Sequence, residues 1–65
     1  MMTVKELKNG DYFTKKAIEY PTEKQVWVRG DYDRTMKRYE CWRFSDVNDT
    51  SYIQGSKEIY TDFTF

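Results

Sequence analysis

Hydrophobic and polar positions alternate clearly in the middle of the chain. In Gln25 to Tyr32, Val26 and Val28 point one way and Trp27 and Arg29 the other, which is the period of a β-strand. In Lys37 to Phe44 the alternation returns, with Tyr39 and Cys41 on one side and Glu40 and Trp42 on the other. The turn-rich junction Asp31 to Thr35 lies between them, so the two runs read as a hairpin. A third run, Lys57 to Phe65, puts Ile59, Thr61, Phe63 and Phe65 on one face and Tyr60, Asp62 and Thr64 on the other. Tyr12 to Ile18 is a less regular strand candidate, and Lys15-Lys16 suits it to a sheet edge.

The remaining segments read as turns. Thr3-Val4-Lys5-Glu6 has capping-box spacing, so a short helical turn carrying Val4 and Leu7 is expected there. Asn9-Gly10-Asp11 stops it, with Gly10 suited to positive φ. Tyr20 to Lys24 is a polar loop, and Pro21 keeps Tyr20 out of a helix. Ser45 to Thr50 reads as a loop, in which Asn48 or Asp49 caps a single helical turn through Tyr52 and Ile53 that ends at Gly55.

These elements predict an all-β class with a short N-terminal helical turn, in one domain spanning residues 1–65. The expected architecture is a small SH3-like barrel or a curled antiparallel sheet of four to five strands, an analogy of fold that carries no function. Val4, Leu7, Phe13, Val26, Val28, Tyr39, Cys41, Ile53, Ile59 and Phe63 form the predicted core.

Composition explains how so short a chain fills a core. A domain of this size buries only about 60% of the surface its unfolded form exposes. One Cys and no His provide neither a disulfide nor a structural zinc site, and no cofactor is expected. Twelve aromatic residues supply bulk instead, each able to bury roughly 150–250 Å². Formal net charge is zero, giving no general pull toward nucleic acid or anionic lipid. The charges are unevenly placed, however. Lys24, Arg29, Arg34, Lys37, Arg38 and Arg43 outnumber the anions of residues 24–43, while Asp46, Asp49, Glu58 and Asp62 dominate residues 44–65. Neighbouring strands with complementary charges would account for this. The absence of an apolar leader or a bilayer-length run, together with a lone thiol, fits a reducing cytoplasm and no membrane partner.

The inventory of reactive groups is thin. Without His, a general base would have to be a carboxylate or Lys tuned by burial. Cys41 lacks a His partner and lies on the apolar face of its strand, where it reads as a small buried hydrophobe. Asp46, Asn48 and Thr50 have the opening spacing of a calcium loop, but Ser51 replaces its glycine and Lys57 its bidentate Glu, so no metal is expected. Asn48-Asp49-Thr50 matches a glycosylation sequon, which is expected to be a coincidence without an export signal. Gly10, Gly30 and Gly55 are isolated and form no phosphate cradle. Asp31 and Asp33 suit turn hydrogen bonds better than acid–base work. The chain therefore reads as a non-enzyme.

One constellation points to binding. If Val26, Val28, Tyr39 and Cys41 face the core, then Trp27, Arg29, Glu40 and Trp42 share the other face. A four-residue connection through Asp33–Met36 places Trp27 opposite Trp42, and a two-residue connection places it opposite Glu40. Both registers preserve the faces. Arg29, Arg38 and Arg43 would ring the two indoles. The pair could simply stabilise the hairpin, a contribution of about 0.2–1 kcal/mol. Read functionally, Trp27, Arg29, Arg38 and Trp42 form a recognition patch for a protein or peptide, including a second copy of the chain. The alternative ligand is single-stranded nucleic acid, bound by aromatic platforms with flanking cations.

The run Val26-Trp27-Val28-Arg29-Gly30-Asp31-Tyr32-Asp33-Arg34, followed by Tyr39-Glu40-Cys41, Asp46-Val47-Asn48 and Ile59 to Phe65, resembles a group of small bacterial proteins with no assigned activity. Their shared pattern is a strand, a Gly-Asp-Tyr-Asp-Arg turn, a Tyr-x-Cys strand, an acidic loop and a terminal strand. The resemblance covers about two-thirds of the chain. It implies a bacterial source and supplies no function. Within the turn, Gly30 permits a bulge, Asp31 and Asp33 can accept from backbone amides, and Arg34 can answer a carboxylate.

Overall fold

Alternation of β-branched and aromatic residues produces strands wherever a neighbour is available to pair. The computed structural model describes residues 2–65. In chain order the elements are β1 (Met2–Thr3), a 3-10 turn (Val4–Glu6), β2 (Tyr12–Phe13), β3 (Trp27–Asp33), β4 (Arg38–Arg43), β5 (Asp46–Ile53) and β6 (Glu58–Ile59). An antiparallel sheet of four strands runs β2-β3-β4-β5, and β1 pairs with β6 in a small second sheet. A single bridge between Thr14 and Tyr60 joins the two sheets. The protein is β-rich, as expected, and its sheets do not close into a barrel.

The N-terminal turn forms where the capping spacing places it. The Glu6 carboxylate accepts from the Thr3 amide at 3.2 Å and from the Thr3 hydroxyl at 2.8 Å. These bonds favour the charged form and hold the Glu6 carboxyl below its usual range. Gly10 takes φ +94, and its amide donates to the Arg29 carbonyl at 2.7 Å, which starts the β2–β3 ladder.

Three expected elements differ. The first strand is Tyr12–Phe13 alone rather than 12–18, because the Thr14 hydroxyl donates to the Lys16 carbonyl at 2.6 Å and turns the chain away. Residues 46–53 form β5 rather than a loop and a helical turn. Pairing with β4 satisfies more backbone groups than an isolated turn could, and the polar residues suit a strand at the sheet edge. Its first half is irregular, since Arg43 pairs with Asp46 and Trp42 with Thr50, so Val47, Asn48 and Asp49 bulge outward. The last strand ends at Ile59. Beyond it the Thr64 amide donates to the Glu19 carbonyl at 2.9 Å.

The β3–β4 hairpin sets the two sheet faces. Near its tip Asp33 pairs with Arg38 and Tyr32 with Tyr39. The turn between them is capped by Asp33, whose Oδ1 accepts from the amides of Thr35 (2.9 Å) and Met36 (3.2 Å), and Lys37 closes it with φ 57. Past Tyr32 the register shifts. Gly30 and Asp31 together oppose Glu40, and pairing resumes as Arg29–Cys41, Val28–Trp42 and Trp27–Arg43. One extra residue on β3 moves every residue beyond it to the opposite face.

The main core consequently contains Val4, Leu7, Phe13, Trp27, Cys41, Ile53 and Ile59, with Met2 and Tyr39 packed against it. Phe13 lies opposite Trp27 and Tyr39 opposite Ile53, which puts these side chains on the face covered by the N-terminal turn and β6. Val26 and Val28 are buried as expected, but they lie outside this cluster, on the other face. Phe63, expected in the core, is half-buried.

Candidate interaction face

The bulge at Gly30–Asp31 divides the residues proposed for recognition. Trp27 and Arg29 share the core face with Cys41, and Trp42 and Arg38 share the other with Val28. The expected face carrying both tryptophans is therefore not formed. The turn pairs Asp33 with Arg38, a register that would keep Trp27 and Trp42 on one face, and the bulge at Gly30–Asp31 shifts it by one residue before Trp27 is reached.

Trp27 is 7% exposed. Two cations flank its ring, Lys15 Nζ at 4.1 Å and the Arg43 guanidinium at 4.8 Å from the ring centre. Arg43 also donates from Nε to Asp49 at 2.8 Å and from Nη1 to the Lys24 carbonyl at 2.6 Å, so it is tied to three parts of the chain. Arg29 lies over the Tyr39 ring at 4.2 Å, and its Nε is buried with no hydrogen-bond partner among the described residues. Arg38 is exposed at the hairpin end, directly opposite Asp33. Arg29 and Arg43 are thus engaged internally rather than ringing an exposed indole.

On the other face a row runs Tyr12, Val28, Trp42, Thr50 across all four strands. Trp42 is half-buried and lies against Gly30. Toward the β4–β5 turn the face ends in three aromatic rings. Tyr12 and Phe44 are 5.4 Å apart, Phe44 and Phe65 4.9 Å, and Tyr12 and Phe65 5.9 Å, each pair in edge-to-face geometry. Tyr12 is 46% exposed and Phe65 51%. These rings share the face of Val28, so a second, shallower apolar layer is half covered by the protein and half open to solvent.

Sequence reasoning missed this trio. A signal was present in Val26-Trp27-Val28, because three consecutive apolar residues mark a strand buried on both faces. Two buried faces require aromatic cover on each. Phe65 is expected from sequence on one strand face with Ile59 and Phe63, but the strand ends at Ile59 and Phe65 reaches the trio through a segment outside the sheets.

Cys41 is fully buried, and burial pushes its thiol pKa up. Asp46 accepts from the Asn48 amide at 3.0 Å, and Asp49 is bound to Arg43, so both acids of the calcium-like segment are used within β5 and its neighbour. Tyr52 donates to Glu40 at 3.4 Å, and the Glu40 charge raises the Tyr52 pKa. No helix of the described residues is long and apolar enough to cross a membrane.

Comparison with known proteins gives no match: none to a family model, to a curated protein or to a solved structure.

Proposed function

We propose that this chain is a non-catalytic interaction module that binds a protein or peptide partner in the cytoplasm through the aromatic face opposite its core. The observation that carries this reading is the Tyr12/Phe44/Phe65 trio, three rings in edge-to-face contact of which two are about half exposed. Contiguous exposed aromatic surface is costly in water, and such rings dominate the energetics of protein contacts. Trp42 extends the patch across the sheet and retains its place among the proposed contact residues, as does Arg38 on the same face. Trp27 and Arg29 support the patch from the other side of the sheet. The reading as a non-enzyme rests on the absence of His and on the buried Cys41 thiol.

The test compares affinity capture by the native chain and by a Tyr12→Ser/Phe65→Ser variant with an unchanged amide NMR spectrum. The reading expects a defined protein retained by the native chain, lost by the variant, and bound again when both components are purified. Equal capture by both chains contradicts it. Binding of single-stranded oligonucleotides at low salt, lost in the same variant, would reassign the partner class.

A further inference from the structure

A cleft of about 520 Å³ lies between residues 17–19 and residues 60–64, and none of its lining residues belongs to the aromatic trio. Backbone hydrogen bonds clamp it at both ends. Thr14 and Tyr60 exchange amide–carbonyl bonds of 2.9 and 3.0 Å at one end, and the Thr64 amide donates to the Glu19 carbonyl at 2.9 Å at the other. Between these clamps the two segments part. The opening is thus held by the fold.

Its lining combines two kinds of chemistry. Ile18, Tyr60 and Phe63 are half-buried and provide apolar and aromatic surface. Glu19 and Asp62 are exposed carboxylates in the same lining, and neither takes part in an ion pair among the described residues. Lys15 and Lys16, the lysines nearest to Glu19 in the chain, line a neighbouring cleft that shares Ile18 and runs beside Trp27, and Lys15 is held over the Trp27 ring. The site therefore presents two carboxylates that form no ion pair among the described residues, next to aromatic and aliphatic surface. A cation with an apolar stem is its complement: the stem packs on Ile18 and the rings, while the charged head meets the carboxylates. The volume is within the range of small-ligand sites, about 300–1,000 Å³.

We propose that this cleft binds an organic cation of side-chain size, an alkylammonium or guanidinium group, supplied by a free amine or by a Lys or Arg side chain of a partner. The site shares no residue with the trio, so its fate in experiment is separate from that of the aromatic face.

The experiment is an amide NMR titration of the full chain with n-butylammonium, with n-butanol as the neutral control and an acetylated, amidated Gly-Lys-Gly peptide as the side-chain probe. Saturable shifts confined to residues 17–19 and 60–64 are expected with the ammonium and absent with the alcohol. Asp62→Asn should weaken binding about fivefold, the size of one exposed ion pair, and adding Glu19→Gln should abolish it. Binding of both cations supports a site for free amines and side chains alike, and binding of the peptide alone identifies the source as a partner's side chain. Equal shifts with butanol, no saturable shift with either cation, or undiminished binding by the double variant overturns the proposal. If that variant fails to fold, the comparison of butylammonium with butanol on the native chain decides.

Discussion

The indole of Trp42 occupies the space that a side chain at Gly30 would need. A Cβ at position 30 would collide with Cζ3 of that ring and lie 2.6 Å from the Glu40 carbonyl oxygen. The bulge and the tryptophan thus depend on the same missing side chain. Gly30→Ala is expected to destabilise the fold by about 1–3 kcal/mol, as overpacking does. The cost should shrink in a Trp42→Ala background, where only the carbonyl contact remains. Urea denaturation of the four proteins in this cycle measures both quantities, and a neutral Gly30→Ala in the native background would contradict the packing described.

The two tryptophans should behave as opposites. Trp27 lies in the core, so Trp27→Ala is expected to cost about 3–5 kcal/mol. Trp42→Ala removes a half-buried ring and should cost less. With Trp42 replaced by Phe, the remaining Trp27 should emit at shorter wavelength and resist acrylamide. With Trp27 replaced by Phe, Trp42 should be quenched readily. Equal quenching of the two would contradict their placement.

Arg43 joins elements that are distant in sequence. Its bond to Asp49 is partly exposed, and Asp49→Asn is expected to cost no more than about 1 kcal/mol, less at high salt. Arg43→Ala should cost more than Asp49→Asn, because it also removes the donor to the Lys24 carbonyl and cover from Trp27. A double-mutant cycle by thermal unfolding separates these contributions.

Cys41 links stability to alkaline pH. Its folded pKa is raised by burial, so the folded state keeps the proton after the unfolded chain has lost it. In that interval the unfolded state binds fewer protons, and stability falls as pH rises above the ordinary thiol range. Cys41→Ala should flatten this part of the pH profile. The native thiol should react with a disulfide reagent only at the rate of unfolding.

Much of the architecture was legible in the chain, for identifiable reasons. Capping spacing placed the turn at Val4–Glu6, and period-two alternation located β3 and β4. What escaped depended on partners that no local pattern names. β5 reads as a polar loop in isolation and becomes a strand because β4 has an open edge beside it. Tyr12 to Ile18 alternates poorly, and the Thr14 hydroxyl cuts it short. The binding face failed at a single point. Gly30 was recognisable as a bulge position, but each bulge changes which residues share a face, and its effect had to be carried through to Trp27. With that shift included, Trp27 moves inward and the open aromatic surface becomes Tyr12, Trp42, Phe44 and Phe65.

That one-residue shift is the claim on which the two-faced sheet and the proposed contact surface depend. Cross-strand backbone NOEs in the β3–β4 hairpin test it most directly. They should connect Tyr32 with Tyr39 on the turn side of Gly30, and Arg29 with Cys41 and Val28 with Trp42 beyond it. NOEs that instead pair Arg29 with Trp42 and Trp27 with Phe44, continuing the Tyr32–Tyr39 register unbroken, would contradict it.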